Sequence, residues 1–125
     1  MFSITKTALF ATVAATFVAA APSFEKRADS SGTATFFDAG LGACGWTNSN
    51  SDYIVAVNSN QYDGSKCGNK IWLWNPSTQK MAFPTVADEC PSCSHGDLDL
   101  STGLFEFLSD GNMDEGVFQM KWGYM

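Results

Sequence analysis

The chain has 125 residues, 45% of them hydrophobic, with seven Lys and Arg against thirteen Asp and Glu and a formal charge of −6. That acidic balance excludes partners recognised through their phosphates, both nucleic acid and an anionic membrane surface. A single histidine leaves no conventional histidine-rich metal centre, so neither a metal nor a cofactor is expected.

Residues 1–21 read as a secretory signal peptide. Lys6 supplies the positive start, Ala8 to Ala20 the apolar run, and Val18-Ala19-Ala20-Ala21 before Pro22 a small-residue cleavage site. The run is interrupted by Thr12 and Thr16 and is shorter than the about 18 to 20 apolar residues of a membrane span. Residues 22–27 follow as a short propeptide ending in the dibasic pair Lys26-Arg27, the alternative being an uncleaved surface pair. Loss of Lys6, Glu25, Lys26 and Arg27 leaves residues 28–125 with four lysines, twelve carboxylates and a charge of −8. These 98 residues allow one small domain with one core, expected to be a secreted, extracellular monomer.

All four cysteines, Cys44, Cys67, Cys90 and Cys93, lie in that domain. An even set in an oxidising compartment reads as two disulfides, with three connectivities open. A zinc site lacks a second close C-x-x-C pair. Cys90-Pro-Ser-Cys93 lacks the helix of a redox dithiol, because Ser94-His95-Gly96 reads as loop.

Along the domain, Thr33 to Phe37 alternates as a first strand, and Asp38 to Gly45 is glycine-punctuated loop before Trp46. Tyr53 to Val57 is a strand or a short helical turn, and Asn58 to Gly64 is turn-rich. Ile71-Trp72-Leu73-Trp74-Asn75 reads as strand, and Gln79 to Val86 as the next one, with Pro84 marking an edge or bulge. Ser101 is a candidate N-cap for a short helix lined by Leu104, Phe105 and Leu108 and ended by Asp110-Gly111-Asn112. Val117 to Trp122 alternates as a closing strand. Many short strands, one short helix and thirteen aromatics in the domain point to a mainly-β barrel.

The chemistry is densest from Asp88 to Ser101, where two cysteines, the histidine and four carboxylates fall together. Asp88 ends a strand and can approach Asp99 across a cysteine-closed loop, and a desolvated aspartic acid can serve as a proton donor. Asp99 can equally be a residue whose charge favours the start of the following helix. His95 reads as an exposed loop residue. Trp46, Tyr53, Tyr62, Trp72, Trp74 and Trp122 are candidates for stacking on sugar rings. Trp72 and Trp74 share one face of their strand and Ile71 and Leu73 the other, so one pair faces outward. Phe36, Phe118 and Met120 are assigned to the core.

Gly32-Thr33-Ala34-Thr35-Phe36-Phe37, Gly42-Ala43-Cys44-Gly45, Cys67-Gly68, Asp88-Glu89-Cys90-Pro91 and Asp97-Leu98-Asp99-Leu100-Ser101 together carry a resemblance. In order and spacing the chain resembles the double-psi β-barrel superfamily of expansins, rare-lipoprotein-A-like domains, papain-inhibitor-like proteins and glycoside hydrolase family 45. Within it, the chain is similar to small fungal loosenins or expansin-like proteins. Some similar fungal sequences carry the name riboflavin-aldehyde-forming enzyme, yet no nucleotide-binding glycine loop follows a strand here.

The resemblance implies a six-stranded double-psi β-barrel with one or two short helices, stapled by Cys44–Cys67 and Cys90–Cys93. It implies that Asp99 matches the family's catalytic-like aspartate, Thr35 the threonine beside it and Asp88 a second aspartate of the groove. Trp46, Tyr62, Trp72 and Trp74 are then the candidate substrate-binding aromatics. Asp38 lies near the region of the hydrolases' catalytic base without matching it. The expected function is non-hydrolytic binding and loosening of cell-wall polysaccharide, such as cellulose, chitin or a related glucan. The alternatives are a protease inhibitor or defence-type effector with a secreted protease as partner, using Asn58–Gly64 or Cys90–His95, and a weak glycoside hydrolase with Asp99 as proton donor.

Overall fold

Two residues, Phe83 and Pro84, decide the shape of the sheet. The computed structural model describes residues 30–125; the expected signal peptide and propeptide lie outside the described residues. Seven strands follow in the chain: β1 (Ser30–Phe37), β2 (Ile54–Asn58), β3 (Ile71–Asn75), β4 (Lys80–Ala82), β5 (Thr85–Cys90), β6 (Leu98–Ser101) and β7 (Phe118–Tyr124). A 3-10 turn at Gly64–Lys66 and one helix, α1 (Thr102–Leu108), complete the described elements. Across the sheet the order is β4-β3-β7-β1-β6-β2-β5. The outermost strands β4 and β5 are joined by Phe83-Pro84 alone, so the sheet must curl until its edges meet.

Hydrogen bonds stitch that seam. The amides of Ile71 and Gly68 donate to the carbonyls of Pro84 (3.0 Å) and Val86 (2.9 Å), and Val86 N–H donates to Asn69 O (2.9 Å). The expected single strand over Gln79–Val86 is divided here because proline has no N–H to give a ladder. That division gives seven strands where six are expected; the architecture is otherwise the expected mainly-β, disulfide-stapled barrel with short helical pieces. The disulfides join Cys44 to Cys67 and Cys90 to Cys93. No described helix is long and apolar enough to cross a membrane.

Alternation fills the interior. Val55 and Val57, Ile71 and Leu73, Leu98 and Leu100, Met120 and Trp122 all point inward, and Leu104, Phe105 and Leu108 of α1 join the same core. Trp122, a sequence candidate for sugar stacking, is instead 0% exposed, and its indole N–H donates to Gly96 O at 2.9 Å. Phe36, expected in the core, is 37% exposed; its outer edge is wet while its ring packs on Phe105 at 4.8 Å.

Ser101 differs from expectation as well. Its hydroxyl makes no capping bond to α1. It donates to Asp52 O at 2.5 Å and accepts from Ile54 N–H at 3.3 Å, so it ties β6 to the entry of β2. Register between β1 and the turn before β6 is enforced by close backbone approach. A Cβ on Gly32 would lie 2.1 Å from Gly96 O, and one on Gly96 would lie 2.3 Å from Ser31 O.

Candidate functional site

Strand register brings the acidic residues into line. Thr35 of β1 is the partner of Asp99 in β6, Asp99 is the partner of Ala56 in β2, and Ala56 is the partner of Asp88 in β5. Laterally paired residues share a face of the sheet. Their chain neighbours Ala34, Leu98, Val55 and Val57 are buried in the core, so the row Thr35–Asp99–Ala56–Asp88 lies on the outer face. Asp88 and Asp99 are two strands apart, about 9–10 Å between Cα positions.

A β-bulge sets that arrangement. The β2–β5 register shifts between Val55 and Ala56: Val55 pairs with Val86, whereas Ala56 pairs with Asp88. Ala87 is the extra residue. Without it, alternation from buried Val86 would turn Asp88 toward the core. The inserted residue re-aims the carboxylate outward.

The two acids are held differently. Thr35 Oγ1 donates to Asp99 Oδ1 at 2.8 Å, and no described group donates to Oδ2. Asp99 is half-buried, and its pKa is raised: desolvation is the main cause, the Thr35 bond opposes it, and the charge of Asp88 adds to it. Asp88 Oδ1 instead accepts two backbone amides, Ala43 N–H at 2.7 Å and Glu89 N–H at 2.8 Å. Between them Ala56 is only 3% exposed, a methyl group set below two longer side chains.

The loop between β1 and β2 folds over the Asp88 end of the row. Cys44 N–H donates to Ala87 O at 3.2 Å, and the Cys44–Cys67 disulfide fastens the loop on its far side. A Cβ on Gly42 would meet Ala87 O at 2.4 Å and the Asp88 side chain at 3.1 Å, so only glycine permits this clasp. Trp46, 44% exposed, rests its ring edge 3.3 Å from the Cβ position of Gly68. It lines a cavity of about 320 Å³ with Tyr53, Ile54, Lys70, Thr85 and Ala87, among others. Ile54 lies two residues from Ala56 on the same face of β2, and Ala87 precedes Asp88, so row and cavity adjoin.

The remaining sequence candidates lie elsewhere. Trp72 and Trp74 are half-buried on the outer side of β3, opposite the core positions Ile71 and Leu73, and β7 and β1 separate β3 from β6. Tyr62 packs against the core with its hydroxyl 3.6 Å from Cys67 Sγ. Asp38 is exposed and accepts from Asn50 Nδ2 at 3.3 Å. His95 is exposed in the turn before β6. Among the described residues, no group of three His, Cys, Asp or Glu side chains is placed to hold a metal. Ala56, Ala43 N–H and Lys70 were not legible as site components, since a methyl, a backbone amide and a surface lysine carry no motif.

No protein-family model and no curated protein matches the chain. Solved structures do. A Streptomyces papain inhibitor is 25% identical with a TM-score of 0.67, the match covering 78% of this chain and 94% of that one. An expansin from Clavibacter michiganensis is 27% identical with a TM-score of 0.66, over 78% of this chain and 50% of that one. The chain is a double-psi β-barrel related to these proteins. A mutant of the same expansin, in complex with cellohexaose, aligns at 28% identity and a TM-score of 0.67 over the same shares. The barrel thus spans half the length of the expansins it matches. A cerato-platanin from M. perniciosa, 18% identical with a TM-score of 0.59 over 76% of this chain and 88% of that one, shares the fold.

Proposed function

We propose that the protein binds cell-wall polysaccharide, cellulose, chitin or a related glucan, along the Thr35–Asp99–Ala56–Asp88 row and the adjoining Trp46–Tyr53 cavity, and loosens its packing without cleaving it. The register that lines up these four residues on the outer face carries the reading. A sugar chain presents hydroxyls to the acids and flat C–H faces to aromatic rings. Asp99, kept closer to its neutral form by burial, can donate a hydrogen bond to a glycosidic or hydroxyl oxygen. Hydrolysis further needs a second carboxylate acting as base or nucleophile. Asp88 is the neighbouring acid, and its Oδ1 is already occupied by two backbone amides. The related expansin in complex with cellohexaose supports the ligand class. Trp72 and Trp74 enter this proposal as a separate outer surface, and Tyr62 as a residue that supports the Cys44–Cys67 staple from the core side.

Secretion is part of the proposal. Two disulfides in so small a domain favour an oxidising compartment, as does the leader-like start of the chain. The deciding experiment incubates the purified protein with cellulose and chitin and measures pull-down, fibre weakening and release of reducing ends. Binding with weakening and no reducing ends is expected. Reducing ends that vanish in Asp99→Asn would make it a hydrolase, and absence of binding to every glycan would end the reading.

A second reading is protease inhibition, favoured by the match to nearly the full length of the papain inhibitor. The turns at Asn58–Gly64 and Cys90–His95, exposed at Ser59, Asn60 and Asp63 and at Pro91, Ser92 and His95, are the segments offered to a protease cleft. Inhibition of papain undiminished by Asp99→Asn would favour it over glycan binding.

A further inference from the structure

A second depression, distinct from the acidic row, lies between the β3–β4 turn and the segment joining α1 to β7. Its volume is about 340 Å³, and its lining includes Asn75, Ser77, Ser109, Asn112, Glu115 and Gln119, with Val117 and Phe118 as the apolar part. That size falls at the lower end of small-molecule sites, about 300–1,000 Å³. One lining side chain is already saturated. Asn75 is 1% exposed; its Nδ2 donates to Leu108 O and its Oδ1 accepts from Ser77 N–H, both at 2.9 Å. By contrast, the Ser77 hydroxyl, the Asn112 amide and the Glu115 carboxylate make no hydrogen bond to a described residue.

We propose that this depression is a sugar-binding site, taking one ring of a neutral or amino-bearing saccharide and rejecting acidic ones. Hydroxyl and amide groups beside an aromatic and a valine match the alternating polar rim and apolar face of a pyranose. Glu115 is the only charged group in the lining, so a uronate or sulfate meets like charge there, whereas an ammonium meets its opposite. The site is tied to the outer face of the barrel. Gln119 Nε2 donates to Thr33 Oγ1 at 3.1 Å, and Thr33 lies two residues before Thr35 on the same face of β1. One strand, β1, separates β7 from β6. A saccharide crossing the strands at Asp99 therefore has a continuous polar path into this depression, and that extension rests on the proposed glycan function. Binding of a short sugar at the depression itself does not.

Titration of the isotopically labelled protein with cellotriose, a glucosamine trisaccharide and a galacturonate trisaccharide, followed by amide chemical shifts, separates the two. Saturating shifts at Ser77, Asn112, Glu115 and Gln119 with the first two sugars, and none with the third, are expected. Asn112→Ala combined with Gln119→Ala should weaken both sugars roughly tenfold, with Ser77→Ala as the fallback if that variant fails to fold. Glu115→Gln should weaken only the glucosamine trisaccharide, roughly fivefold. Shifts confined to Thr35, Ala56, Asp88 and Asp99 would overturn the second site and leave the proposed function standing. Shifts at the depression alone would do the reverse. No shifts with any sugar, or equal binding of the galacturonate, would overturn this inference.

Discussion

The loop pinned by Cys44–Cys67 and the turn closed by Cys90–Cys93 both adjoin the acidic row, but they control it by different means. The first is the excursion between β1 and β2, fastened through Cys44 to Cys67, which lies 23 residues on and beyond β2. It reaches over the sheet and holds Asp88 through the Ala43 amide. The second closes over a separation of three. It turns the chain from the end of β5 back into β6, and so delivers Asp99 by strand position rather than by contact. One acid is gripped by a loop, and the other stands on a strand with only Thr35 as its described donor. Such an arrangement makes Asp88 sensitive to loop geometry and Asp99 sensitive to its immediate polarity.

Breaking each staple gives the largest contrast. In the loop-entropy account, removing Cys44–Cys67 costs about 3.5 kcal/mol and removing Cys90–Cys93 about 2 kcal/mol. Paired cysteine-to-alanine variants compared by chemical denaturation test this order, and equal losses would contradict it. Next comes Gly42→Ala. Its methyl group would stand 2.4 Å from Ala87 O, and the forced retreat of the loop is expected to cost about 1–3 kcal/mol. The amide resonance of Ala43 should move with it; an unshifted Ala43 would mean that the clasp tolerates a side chain.

Changes at Asp99 are expected to be smaller. Thr35→Val removes the one described donor to a half-buried carboxyl, for a cost of about 0.5–1.5 kcal/mol. It should also raise the Asp99 pKa further, because that hydrogen bond opposes the shift. Carbon-detected titration of the carboxyl would read this directly, and a fall in pKa would contradict the assigned geometry. Asp99→Asn comes last in size, and its sign follows from the direction of the shift. A raised native pKa means that the folded state holds its proton where the unfolded chain has lost it. Stability from this group is therefore full below the unfolded value near 3.8 and declines as pH rises through the native pKa. The asparagine variant should be more stable than the parent at neutral pH, with the gain vanishing in acid. A constant difference across the range would show that burial does not penalise the charge.

Much of this fold is legible in the amino-acid sequence. The alternation in Ile71–Asn75 and Val117–Trp122 gave strands, with the inner face assigned for the second and left open for the first, and the apolar spacing of Leu104, Phe105 and Leu108 gave the helix. The pairing of Thr35 with Asp99 and both disulfides came from the family resemblance, not from periodicity. What escaped has physical causes. A bulge at Ala87 breaks the very alternation on which strand reading depends, so the outward turn of Asp88 leaves no trace in the sequence. Ser101 has an N-cap's chemistry, but Asp52 and Ile54 claim its hydroxyl from 49 and 47 residues away. Trp72 and Trp122 are the same residue type on neighbouring strands, and only the direction of curl decides which one is buried.

The first strand has no neighbour close behind it in the chain. Thr35 waits 64 residues for Asp99, and the other edge of β1 is closed by β7, at Phe118–Tyr124. Pairings this distant make for slow folding, and the barrel cannot close until β7 has been synthesised. All four cysteines precede β7 in the chain, so both disulfides can close while β1 still lacks that neighbour.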